Sequence, residues 1–265
     1  MASFSSSAPP QPAVSLTSSE ISACRAVKQS LLSRGHAASG ICNRAVAITT
    51  LNKKLRVEDA VEGYEGLMKE LTNYGISGFD EVYAGMKDYE SVIAPRLSSY
   101  AVCGKDSLGR QIFWIVGGSV QPHEEVAAVR AGWFFFLSVH ADDVSLRKGV
   151  TFVIDVSRGG GDKKVGNEKK LQRTWQSYPL RPQRILIMGA TYIKRLFING
   201  LLKFASLFSK NKVLERVRFA TVEEVVAECG ERNVPAYISG EGVGMAGDVS
   251  EWVKGRVEGF PDPQF

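Results

Sequence analysis

The sequence predicts an α/β fold, a mainly parallel sheet preceded by a small helical subdomain, and three observations carry that prediction. From about residue 95 onward, short β-type runs alternate with stretches of helical periodicity. Strands separated by helices need crossover connections, and crossovers build parallel sheets. Two runs, GVTFVIDV (149–156) and RILIMGA (184–190), are almost continuously apolar, as central strands covered on both faces must be. Residues 20–75 instead show helical periodicity.

The start, MASFSSSAPPQPAVSLTSS, is rich in Ser, Ala and Pro and carries no charge before Glu20. A plastid transit peptide is Ser-rich and acid-poor but carries arginines, and the first arginine here is Arg25, inside a helical pattern. Residues 1–18 are therefore expected as a flexible tail, with plastid import as the alternative. SEISACRAVKQSLLSRG then sets Ile21, Cys24, Ala26, Val27 and Leu31 at helical spacing, with Gly35 suited to the stop. ICNRAVAITTLNKKL predicts a second helix. VEDAVEGYEGLMKELTNYG predicts a third, with Val57, Val61, Tyr64, Leu67, Met68 and Leu71 on one face. Residues 19–90 are expected as the helical subdomain.

In the next region, 95–240, SSYAVCG and IFWIVGG read as two strands joined by a turn in which Asp106, Ser107 and Gly109 supply the bend. A helix from about His123 to His140 follows. Then come the strand GVTFVIDV, the helix NEKKLQRTWQSY, the strand RILIMGA, the helix IKRLFINGLLKFASLFSKNK (193–212) and the strand RVRFA. TVEEVVAEC closes the series, with Thr221 and Glu224 in capping-box positions and Gly230 beyond its end. Residues 241–265 are expected as a C-terminal tail.

The bulk numbers bound the function classes. At 265 residues and 44% hydrophobic, the chain can bury a sizeable core. A net charge of +5 modestly favours anionic partners. The four cysteines lie far apart, with no C-x-x-C pair and no histidine at ligand spacing, which predicts buried thiols and no metal site. The longest apolar runs, IFWIV and WFFFLSV, fall short of the ~18 residues that span a bilayer, so membrane contact would be peripheral.

No G-x-S-x-G elbow, no G-x-x-x-x-G-K-[ST] loop and no H-E-x-x-H helix occurs. The glycine-rich stretch from Ser157 and Arg158 to Lys163 and Lys164 could cradle a phosphate, but it lacks the spaced glycines and the hydroxyl after lysine, and a plain strand-to-helix connection is preferred. His36, His123 and His140 are read as surface or capping residues. Asp155 ends a strand at the carboxyl edge, where α/β sheets place ligands, yet one carboxylate is a thin basis for acid–base chemistry. The expectation is a non-catalytic chain without cofactor.

Residues 193–212 combine basic charge with apolar surface. On a helical wheel Ile193, Leu196, Phe197, Leu201, Phe204, Ala205 and Phe208 share one arc, and Arg195, Asn199, Lys203, Ser206 and Lys210 the other. A core helix and an interfacial helix both fit that pattern. Nucleic acid fits less well, because aromatics and charges lie on opposite faces. Strand alternation puts Phe152 and Ile154 on one face with Ile185 and Ile187. Which face lines a cavity is left open, because both faces of a central strand are apolar.

In the order of these elements, residues from about 45 to 240 resemble the CRAL-TRIO lipid-binding family. The segments that carry the likeness are LRVEDAVEGYEGLMKEL (55–71), DSLGRQIFWIVGG (106–118), GVTFVIDVSRGG (149–160) and above all 177–219, from SYPLRPQ to RVRF. The resemblance implies an apolar pocket for a phospholipid or similar ligand, closed by the 193–212 segment as a gate that opens at membranes. It adds Phe113, Ile115, Phe197, Leu201 and Phe204 to the pocket, and gives Lys194, Arg195, Lys203, Lys210, Arg216 and Arg218 to head groups or an anionic membrane surface. It also implies a cytoplasmic, peripheral location. The chain departs from the family at Gly189-Ala190-Thr191, at Leu180 after Tyr178-Pro179, and at Val213. Its stretch from Asn233 to Ile238 is similar to the divergent branch that includes BCH domains, which implies as alternative a scaffold for small GTPases or their regulators.

Overall fold

The computed structural model describes residues 15–79, 82, 85–116, 126–158, 179, 181–190, 214–259 and 263–265. The helices expected at 167–178 and 193–212 lie outside the described residues. Helices α1 (Ser18–Ser33), α2 (Asn43–Asn52) and α3 (Val57–Asn73) fall where apolar spacing put them. At the head of α1 the Thr17 side chain accepts from the Glu20 N–H while the Glu20 carboxylate accepts from the Thr17 N–H, a reciprocal cap. Cys24, Val27 and Leu31 turn inward. Ala26, expected beside them, is exposed, because two residues past Cys24 is about 200° around a helix.

Residues 85–99 form tight 3₁₀ and π turns that bury Tyr89, Ile93 and Leu97. Only one of the next two expected strands forms, β1 (Ile112–Val116). Residues 98–104 contribute one isolated bridge, Tyr100 to Ile115, and Lys105 bridges to Gln111 just beyond them. Ala101 and Gly104 bond to β1, but other groups are drawn elsewhere: the Gln111 amide donates to the carbonyls of Cys103 and Gly104 at 2.8 and 2.9 Å, and the Gly104 N–H donates to the Asn233 carbonyl. The turn forms as expected, with the N–H groups of Leu108 and Arg110 donating to Asp106 Oδ1 and Gly109 at φ 73°.

After β1 come α4 (Val126–His140), α5 (Asp143–Lys148), β2 (Val150–Asp155), β3 (Pro182–Met188), β4 (Val217–Ala220), α6 (Val222–Cys229), α7 (Ala236–Ser239) and α8 (Val249–Gly259). Among the described residues the sheet has four strands in the order β1-β2-β3-β4, all parallel. Register fixes what each face carries. One face presents Phe113, Ile115, Phe152, Ile154, Ile185, Ile187, Val217 and Phe219. Most of these join α1 to α4 and α8 in one continuous core. The other face packs against α6 through Trp114, Val153, Leu186 and Met188.

Helix α4 is buried nearly all round from Val129 to His140, which explains a sequence, WFFFLSV, with no polar face. On its far side lies α8, inside the stretch expected as a tail. Val253 and Val257 are buried, Tyr89 donates its hydroxyl to the Ser250 carbonyl at 2.6 Å, and Arg256 donates to the Ser138 and Ala141 carbonyls. Arg256 thereby satisfies carbonyls at the end of α4. Among the described residues no helix is long and apolar enough to cross a membrane.

Candidate functional site

The apolar sheet face is built by alternation in strands that pair in register. Phe113 stacks on Phe152 with centroids 4.5 Å apart and meets Phe135 of α4 edge-on at 4.9 Å. Phe113 and Phe152 are thus packed into the core. Ile115, Ile154 and Ile185 keep 7–8% of their surface, Ile187 keeps 2%, and Phe219 on β4 keeps 37%. Six of the nine expected pocket residues, Phe113, Ile115, Phe152, Ile154, Ile185 and Ile187, share this one face. Phe197, Leu201 and Phe204 lie outside the described residues.

The expected head-group residues fare differently. Lys194, Arg195, Lys203 and Lys210 lie outside the described residues. Arg216 stands at the amino edge and donates to the Pro182 carbonyl at 2.7 Å. Arg218 points to the face opposite Phe219, as neighbours on a strand must. There it pairs at 3.2 Å with Glu228 of α6, which also pairs with Arg184.

At the carboxyl edge Asp155 is fully buried. Its Oδ1 accepts from the Ser157 N–H at 2.9 Å and the Ser157 hydroxyl at 2.5 Å, and its Oδ2 accepts from the Tyr237 hydroxyl at 3.0 Å. The Trp114 indole N–H in turn donates to the Tyr237 oxygen at 2.8 Å. Burial first, then the Asp155 charge, pushes the Tyr237 phenol above its ordinary value. Both Asp155 oxygens are engaged, so this carboxylate ties α7 to the end of β2. Arg158 lies over the Tyr237 ring, its guanidinium carbon 4.0 Å from the centroid. Sequence reasoning missed Tyr237 entirely; nothing local links it to a strand end 82 positions earlier.

Two more polar groups sit beneath the amino edge. Asp106 accepts from Thr151 at 2.5 Å and from Arg110 at 2.7 Å. Burial alone would raise its pKa, but these bonds reverse that and hold the carboxyl below the usual range. Asp142 is likewise held low against burial by Lys105 and Ser145. Both brace the turn before β1.

His140, expected at the surface, is buried. Its Nδ1 lies 3.0 Å from the Phe136 carbonyl, its Nε2 has no hydrogen-bond partner, and burial lowers its pKa to about 4. The run before it, WFFFLSV, was the signal for burial. His36 is partly exposed beside Glu65 at 3.5 Å, and His123 lies outside the described residues. All four cysteines are buried and outside any disulfide among the described residues. Burial raises Cys24 to about 11 and Cys229 to about 12, far from reactive-thiolate values.

Fold and site together define a class: a parallel α/β domain whose sheet has one face apolar along its paired strands and a hydrogen-bonded carboxyl edge. The chain matches no protein-family model, and no curated protein matches it as a relative.

Proposed function

We propose that the chain binds or transfers a hydrophobic ligand, a phospholipid or similar molecule, without catalysing a reaction, and touches anionic membranes peripherally. The observation that carries this reading is the uniformity of one sheet face. Over the regularly paired stretch Phe113, Ile115, Phe152, Ile154, Ile185, Ile187, Val217 and Phe219 are all apolar, whereas the opposite face mixes in Thr151, Asp155, Arg184 and Arg218. Each ligand methylene moved from water onto such a face contributes about 0.8 kcal/mol. One acyl chain therefore offers enough to offset the roughly 4–15 kcal/mol that association costs.

On this reading Ile115, Ile154, Ile185 and Ile187 contact the ligand, Phe113 and Phe152 back them, and Phe197, Leu201 and Phe204 cover it. Lys194, Arg195, Lys203 and Lys210, with Arg216, supply charge toward anionic head groups. A CRAL-TRIO-like gate and a cytoplasmic, peripheral location belong to the same proposal.

Native mass spectrometry of protein purified from its own cells tests it. A bound lipid is expected, and its occupancy should fall when Ile154→Asp places a charge on the face. If no lipid co-purifies and none loads from lipid extracts, the reading fails. Binding of a small GTPase by that same lipid-free protein would put the scaffold alternative in its place.

A further inference from the structure

The glycine-rich stretch that begins at Ser157 is the one motif the apolar face leaves unused. Its first two residues stand where β2 and β3 end side by side. Gly189, just past β3, has φ 73°, and a Cβ there would come 2.5 Å from the Ser157 Cβ. Ser157 spends its N–H and its hydroxyl on Asp155.

Arg158 does something different. Its guanidinium rests on the Tyr237 ring, and among the described residues it makes no hydrogen bond and no ion pair. The Tyr237 ring is itself held by Trp114 and Asp155. Asp155 is no competitor for the guanidinium donors, since its oxygens already accept from Ser157 and Tyr237. A ring beneath a guanidinium fixes its plane and leaves a fork of N–H donors, the geometry that matches two oxygens of a phosphate. The carboxyl ends of parallel strands are also where α/β sheets bind ligands. Ile154 and Ile187 bring the apolar face to this same edge, while Trp114 and Asp155, which hold Tyr237, project from the other face, so a ligand chain lying on the apolar face reaches Arg158 by bending round the strand ends.

We infer that Arg158, laid over Tyr237, is the contact for a phosphate group of the bound ligand, a lipid phosphate ester or a free phosphate. The inference rests on the hydrophobic-ligand reading for the lipid source only. Tyr237 is a positioning residue in it: it sets the plane of Arg158 and does not touch the phosphate.

The test uses the full chain in two arms. In the first, protein is equilibrated with vesicles holding equal amounts of phosphatidic acid, phosphatidylcholine and diacylglycerol of the same acyl chains, re-isolated, and its bound lipids are counted by native mass spectrometry. Wild type is expected to enrich the phosphate-bearing lipids. Arg158→Gln should cut that enrichment about tenfold while total lipid occupancy stays, and Arg158→Lys, which keeps the charge but loses the fork, should restore only part of it. In the second, line broadening of inorganic phosphate in ³¹P NMR reads a soluble source. Broadening by wild type that Arg158→Gln abolishes, without lipid enrichment, supports the same contact with a free phosphate. Lipid loading blind to phosphate, with no broadening, overturns the inference and leaves the function standing. Absence of loading by any lipid overturns the function, and the ³¹P arm then decides for or against Arg158 alone.

Discussion

Replacing Tyr237 by Phe removes one oxygen that serves two buried groups. Asp155 and Trp114 are both 0% exposed, and the hydroxyl lies 3.0 Å from the Asp155 carboxylate and 2.8 Å from the indole nitrogen. A buried polar group left without its partner costs about 1–3 kcal/mol, more when charged. Two such groups set a range of roughly 2–5 kcal/mol. Tyr237 as a whole is 37% exposed, so water can enter and relieve part of that cost, and a loss of about 2–3 kcal/mol is expected. Ring packing and the Arg158 stack survive the change, which isolates the hydrogen bonds. Urea unfolding followed by tryptophan fluorescence and far-ultraviolet dichroism measures it, with an unchanged slope if compactness is unaltered. A double-mutant cycle with Trp114→Phe sharpens the result. Because the two side chains share one oxygen, the double variant should lose at least 0.5 kcal/mol less than the sum of the single losses, on the order of measured couplings between contacting residues. Strict additivity, or a Tyr237→Phe loss below about 0.5 kcal/mol, would refute the view of Tyr237 as the hub of this edge.

The remaining predictions concern acid stability and one close approach. Burial lowers His140 to about 4 in the folded protein, against 6.5 when free. As pH falls the unfolded chain therefore takes up the proton first, and the stability from a neutral His140 is complete above pH 6.5 and lost as pH drops toward 4. The loss amounts to at most ~3 kcal/mol. His140→Phe should flatten the urea midpoint across that window, and an unchanged pH dependence would count against a neutral buried imidazole. Gly189→Ala combines φ 73° with a Cβ 2.5 Å from that of Ser157, so a loss of about 1–3 kcal/mol or more is expected on urea unfolding. A neutral substitution there would mean that the ends of β2 and β3 are not in contact.

What was legible in the sequence divides along a physical line. Helices α1 to α3 and α6 could be read because their determinants are local: apolar spacing within one face and the Thr221–Glu224 cap. Strands β2 and β3 could be read because burial on both faces leaves a continuous apolar run. The shared face of Phe152, Ile154, Ile185 and Ile187 followed from alternation, and parallel pairing in register then kept it intact across the sheet. The misreadings came from competition that a local pattern does not record. SSYAVCG has strand-like residues and makes two main-chain bonds to β1, yet the Gln111 side chain and Asn233 carbonyl take others that a continuous ladder would need. Helix α8 reads as a tail because its apolar positions are few, though Val249, Trp252, Val253 and Val257 keep helical spacing.

The carboxyl edge follows the same division. Asp155 is visible as a strand-ending carboxylate, but its distant partner Tyr237, itself held by Trp114, lies 82 positions further on. A buried carboxylate needs donors wherever they arise, and the sequence says only that some must exist. Here they come from the turn after β2 and from α7, which brings Arg158 and Tyr237 together at the carboxyl edge. The chemistry of the site thus depends on long-range closure of a hydrogen-bond requirement, while the face beneath it depends on local alternation, which is why the second could be read from the chain and the first could not.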